Sequence, residues 1–182
     1  SMLADPSVIV VDEKTGEVVF ESNANSPRKP ASVIKLVSAA AAYTYLSPAD
    51  SFTTSLWTGV DSKSVVIQGS LDPWMSYDHK VAEKMKRTSL ERLEFNALSA
   101  IKNMNAGSTK STTIYYSNLY SQEVNHIKKF LKTRSAATTL KRVTEAAAIE
   151  KSSEYLLGST SPTLQRIVDW TLVWSDNLLA ER

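Results

Sequence analysis

The sequence predicts a mixed fold of the α/β (α+β) kind, and three observations carry that expectation. Near the N-terminus "SVIVVDEKTGEVVFES" sets two β-branched runs either side of a turn. A nearly uninterrupted apolar stretch, Val33 to Leu46, follows and has the length of a helix. Beyond it, strand-like runs such as "SKSVVIQGS" and "STTIYYS" are separated by stretches with helical spacing.

The first two strands are placed at Ser7–Val11 and Glu17–Ser22, because Val and Ile favour strands and Gly16 supplies the positive φ that tight turns need. "NANSPRKP" is a polar, proline-punctuated loop, and a helix begins at Ala31 or Ser32 and runs to about Leu46. That helix is apolar nearly all round, as expected of a helix buried on several sides. "SFTTSLWTG" and "SKSVVIQGS" read as two further strands around a turn, and "LDPWM" as a loop. Asp78 to Asn103 is helical with a break near Thr88; "STTIYYS" is a strand; Ser121 to Lys132 is a helix with Val124, Ile127, Phe130 and Leu131 on one face. Thr138 to Glu150 fits helix better than strand. Pro162 to Trp174 is a helix with Ser161 as its N-cap, and a last helix begins near Leu178.

With 182 residues, 42% of them hydrophobic and 22% charged, the chain suits one soluble domain, or one domain with an insertion. A net charge of +2 is too mild to argue for nucleic acid or an anionic membrane surface. Cysteine is absent, which excludes disulfides, thiolate chemistry and cysteine-ligated zinc. No apolar stretch reaches the roughly 20 residues of a membrane span. "SMLADPSVIV" lacks the basic-then-apolar layout of a signal peptide.

Three pairs match Ser-x-x-Lys: Ser26/Lys29, Ser32/Lys35 and Ser99/Lys102. Ser26 is followed by proline in a loop, where no helix would hold the two side chains together. Ser99 sits in the middle of an amphipathic helix with its lysine directed to solvent. Ser32 alone stands at the start of an apolar helix. Residues three apart share a helix face, so the lysine amine can approach the serine hydroxyl. Partial desolvation in an apolar helix favours the neutral amine, the form that takes a proton from serine and makes it a nucleophile. The alternative is an N-cap serine with a snorkelling lysine. Near the C-terminus, "WSDNLLAER" contains the chain's single Ser-x-Asn, Ser175-Asp176-Asn177; on its own it reads as a capped turn between helices.

Taken together, "PASVIKLVSAAAAY" followed by Ser-Asp-Asn resembles the penicillin-recognising serine enzymes. The long separation of the two boxes resembles the D-alanyl-D-alanine carboxypeptidase/endopeptidase family of the penicillin-binding protein 4 type, peptidase family S13, whose members insert extra domain material there. "LSPADSFTTSLWTG", "GSLDPW" and "SPTLQRIVDWTLVWSDNLLAE" fit the same resemblance, which is specific at both ends and vague from about Tyr77 to Leu157.

The resemblance implies a penicillin-binding/serine β-lactamase-like transpeptidase fold, incomplete here. Residues 1–60 would supply its hairpin and Ser-x-x-Lys helix, 61–158 a shortened inserted subdomain, and 159–182 the return to the transpeptidase-like domain. Ser32 would be the acylated nucleophile, Lys35 its general base, Ser175 a proton relay, and Asn177 a substrate-binding residue. The substrate would be a peptidoglycan stem peptide ending in D-Ala-D-Ala, and β-lactams would trap the same serine. No metal or cofactor is implied. The location would be extracytoplasmic, in the periplasm or cell-wall space.

One element of the pattern is out of place. In the family a Lys-Thr-Gly box follows Ser-x-Asn on a central strand; here the triplet Lys14-Thr15-Gly16 precedes both serines and falls at a hairpin tip, where it reads as a turn. The expectation is therefore an N-terminal portion of a larger enzyme, with little turnover alone and a complementary C-terminal fragment as one partner. A non-catalytic wall-peptide or partner-binding protein on the same scaffold is the alternative, as is a β-lactamase-type hydrolase, which the long insert disfavours. His79 and His126 are expected at the surface, Trp170 and Trp174 in the core, and the basic run "HIKKFLKTR" on a solvated helix face.

Overall fold

The computed structural model describes residues 5–182, so the first four residues of the N-terminal segment lie outside it. The chain divides into two compact units, one ending at Ile34 and the other running from Lys35 to Arg182.

The first unit is built on an antiparallel hairpin of β1 (Val8–Val11) and β2 (Val18–Ser22), with Val10 opposite Phe20 and a register shift after it. Its tip is set by Asp12, whose carboxylate accepts hydrogen bonds from the backbone N–H groups of Lys14 and Thr15 at 2.8 Å each. Gly16 holds φ +74° there, a conformation that costs a residue with a Cβ. The Lys-Thr-Gly triplet is thus a turn. Both faces of the hairpin are apolar and exposed, from Ile9 and Val11 to Val19 and Phe20. The segment ends in one 3₁₀ turn, Ala31–Val33, which carries Ser32. The α-helix α1 (Ile34–Tyr45) starts at Ile34, later than the sequence suggests.

The second unit contains a five-stranded sheet. β3 (Thr53–Gly59) and β4 (Ser64–Gln68) form its antiparallel centre, and β5 (Thr112–Ser117) and β6 (Thr138–Arg142) add in parallel. β7 (Ser152–Thr160) closes the other edge antiparallel to β3, giving the order β6-β5-β4-β3-β7. Parallel pairing requires crossovers, supplied by α2 (His79–Met85) with α3 (Leu90–Met104) and by α4 (Ser121–Thr133). Strand alternation sorts the side chains: Leu56, Val65, Ile67 and Ile114 enter the core with Leu93 and Ile101 of α3 and Ile127 of α4. On the opposite face α5 (Glu145–Lys151) lies along β4 and β5, with the Lys151 amine 5.0 Å from the Tyr115 ring centre. Among the described residues no helix is long and apolar enough to cross a membrane.

Several local expectations are corrected. Thr138–Glu150 is a strand followed by a helix, separated at Val143-Thr144, where the Thr144 hydroxyl accepts from the Ala147 N–H and caps α5. Ser161 does not cap a helix; its hydroxyl accepts from Phe52 N–H and donates to the Pro162 carbonyl, and α6 (Leu164–Trp174) begins after Thr163. α1 is not enclosed: Lys35 is its buried residue, while Leu36, Val37 and Tyr45 are exposed. An apolar hollow of about 570 Å³ lies between its Ser38, Ala42 and Tyr45 and the Leu164, Ile167 and Val168 side chains of α6, so neighbouring elements cover only part of it.

Candidate active site

Antiparallel pairing of β7 with β3 returns the chain to the beginning of the second unit. Beyond that pair, Leu164 N–H donates to the Asp50 carbonyl at 2.8 Å and seats the beginning of α6 beside the segment that follows α1. α6 ends at Ser175, which takes a left-handed backbone (φ +54°), and Asp176 caps the short α7 (Asn177–Ala180) by accepting from the Leu179 N–H. The Ser-Asp-Asn tripeptide is therefore the whole corner between two helices, which aims two polar side chains from one turn.

Those side chains meet Lys35. Its amine donates to Asn177 Oδ1 at 2.6 Å and to Ser175 Oγ at 3.2 Å, and the lysine is only 5% exposed. Three of the four sequence-selected residues thus converge within the second unit, although Lys35 and Ser175 are 140 residues apart. Burying a lysine is costly unless it is hydrogen-bonded, and here oxygen acceptors satisfy it. Such an arrangement can pass a proton between an amine and a hydroxyl, while the Asn177 carbonyl fixes the amine's position. Ser32 lies in the first unit, exposed on its 3₁₀ turn, three residues before Lys35 in the chain. The competing pairs Ser26/Lys29 and Ser99/Lys102 are exposed, the first in a loop and the second on α3.

Other residues sit differently from expectation. His126 is not a plain surface histidine: its Nδ1 is 2.8 Å from Oε1 of the buried Glu94, and its ring stacks on Tyr77. Burial raises the Glu94 carboxyl above its ordinary range, and the hydrogen bond from His126 opposes that. His79 is exposed at the start of α2, as expected. Trp170 is half-buried, but Trp174 is 66% exposed and packs mainly on Trp170. Sequence reasoning also passes over a cluster beside the Ser-Asp-Asn corner: the Arg87 guanidinium lies 4.3 Å from the Trp74 ring centre and 5.7 Å from that of Trp170. Nothing local in "KMKRTSL" marks Arg87, because its partners come from distant parts of the chain.

Over residues 2–104 the sequence matches the family model of the D-Ala-D-Ala carboxypeptidase 3 (S13) family. Ser32 and Lys35 fall inside the match; Ser175 and Asn177 lie beyond it. No curated protein and no solved structure matches the chain. Since the family model takes in more than half of the sequence, the chain belongs to the D-Ala-D-Ala carboxypeptidase 3 (S13) family.

Proposed function

We propose that the protein acts as a serine-type D-Ala-D-Ala carboxypeptidase on peptidoglycan stem peptides, outside the cytoplasm, through an acyl-enzyme on Ser32. The observation that carries this reading is the Lys35 amine, buried and hydrogen-bonded to both Ser175 and Asn177 in a chain of this family. In the proposed cycle Lys35 takes the Ser32 proton as the oxygen attacks the penultimate D-alanine carbonyl, forming a tetrahedral oxyanion. The backbone N–H of Ser32 is one donor to that oxyanion. Collapse breaks the peptide bond, and the departing D-alanine amine receives a proton relayed from Lys35 through the Ser175 hydroxyl. Water then hydrolyses the ester and regenerates Ser32. Asn177, its carbonyl holding Lys35, offers its NH₂ group to the substrate amide.

Fluorescent penicillin tests the reading directly, on the chain together with whatever sequence its gene encodes after Arg182. Covalent labelling that disappears in Ser32→Ala, with slow release of the opened ring and release of D-alanine from a stem pentapeptide, is the expected result. Unlabelled protein would overturn it, and rapid turnover of the penicillin without D-alanine release would identify a β-lactamase-type hydrolase.

A further inference from the structure

Arg87 and Trp74 stand next to the Ser-Asp-Asn corner without belonging to it. Both come from the segment between β4 and α3, and a parallel bridge between Ser76 and Ser89 ties their two stretches together. Ser76 N–H donates to the Thr88 carbonyl at 2.8 Å, and Leu90 N–H to the Ser76 carbonyl at 2.9 Å. Trp74 is 3% exposed, and its backbone N–H donates to the buried Asp72 carboxylate. This is a firm platform, and it faces α6. Trp74 meets Trp170 edge to face with centroids 5.6 Å apart, Arg87 lies over both rings, and Trp170 packs on Trp174 at 5.3 Å. Trp174 is the residue immediately before Ser175. Cation–π contact strengthens where the cation is partly desolvated, and here it braces the end of a helix whose last turn is otherwise exposed. Burial lowers the Arg87 guanidinium's affinity for its proton, while the charges of Asp176 and Asp72 act in the opposite sense. Asp176 is the middle residue of the corner, so Arg87 engages it electrostatically as well as through the tryptophans.

We infer that Arg87 is a positioning residue for the Ser175-Asp176-Asn177 corner: stacked on Trp74 and Trp170, it sets where α6 ends and hence how Ser175 and Asn177 meet Lys35. Its effect on catalysis rests on the acyl-enzyme reading above; its effect on the Lys35 hydrogen bonds does not. Misplacement of a reacting group by about 1 Å can cost a factor of about 100 in rate, so loss of the guanidinium weakens the chemical step more than it weakens penicillin binding.

The experiment compares Arg87→Met, which keeps an apolar stem, with Arg87→Lys, which keeps the charge but not the flat stacking group. One readout is the ¹⁵Nζ resonance of Lys35, assigned by its disappearance in Lys35→Ala. The second is Ser32 acylation by fluorescent penicillin, resolved into an initial dissociation constant and a limiting rate. Arg87→Met is expected to shift the Lys35 resonance and lower the limiting rate by about 100-fold, with the dissociation constant little changed. Arg87→Lys should recover part of both. A folded Arg87→Met protein with the parent's Lys35 resonance overturns the inference, whatever its acylation rate, because Arg87 would then act elsewhere or not at all. Should Arg87→Met fail to fold, Trp74→Phe replaces it under the same criteria. If the parent protein takes no label, the acyl-enzyme reading falls, and the Lys35 resonance alone decides the role of Arg87.

Discussion

Ser175 holds a left-handed backbone at φ +54° while presenting its hydroxyl 3.2 Å from the Lys35 amine. A residue with a Cβ is strained there by about 1 kcal/mol, and glycine is not. Ser175→Gly and Ser175→Ala both remove the hydroxyl, so comparing them isolates the backbone term: the glycine variant should be more stable by about 1 kcal/mol in urea melts. Equal stability would mean that the corner relaxes. Both variants should acylate far more slowly than the parent, which separates the role of the hydroxyl from that of the turn. Single residues were legible in the sequence where chemistry restricts the residue type. Lys35, Ser175 and Asn177 stand out by motif and their side chains meet, and the proposed nucleophile Ser32 stands out by the same motif. His126 and Trp174 were not legible, because an imidazole or indole gives no local sign of what it packs against. Only the fold puts Glu94 beside one and leaves the other 66% exposed.

At the scale of elements, hydrophobic period and turn chemistry located most strands and helices, and failures fell where one cue outweighed another. The alanines of "TEAAAIE" pulled the whole Thr138–Glu150 stretch towards helix, although "TTLKR" is a strand and Thr144 marks the boundary as a cap. β7 was overlooked because "SSEYLLGST" borders the poorly resembling middle of the chain and is exposed along most of its length. Backbone crowding is likewise invisible in sequence. At Gly69, where β4 leads into the Asp72–Trp74 turn, an added Cβ would come within 2.4 Å of the Asn118 carbonyl oxygen and 2.9 Å of the Ser117 carbonyl oxygen. Neither oxygen can move freely, since Ser117 accepts from Gly69 N–H and Asn118 from Leu71 N–H. Gly69→Ala should therefore cost about 1–3 kcal/mol in chemical denaturation. A neutral result would show that the turn shifts bodily.

Across the molecule, carboxyl groups are buried in numbers that composition does not disclose. Burial raises Asp72, Glu94 and Glu123, although Arg182 pairs with Glu123 at 2.7 Å. A carboxyl raised on folding binds its proton more tightly in the native state. Its contribution therefore favours the fold below the ordinary carboxylate range and declines as pH rises through the raised value. Glu94→Gln stays neutral, so its stability relative to the parent should improve between pH 4.5 and 7.5; a constant difference would place the Glu94 titration at its unfolded value. The mixture of helix and strand was readable from the sequence, but the incomplete covering of α1 was not, because an apolar helix looks buried wherever it lies. The pairing of β7 with β3 has an entropic consequence as well. Joining Lys35 to Ser175 directly would close a loop of 140 residues, whereas once Thr53 pairs with Thr160 only the stretches 36–52 and 161–174 remain to be ordered. That saves roughly 1 kcal/mol of chain entropy at the moment of closure. The sheet edge thus acts as a clasp: with the long excursion between them pinned shut, Lys35 and the Ser-Asp-Asn corner are held together with far less chain left to order.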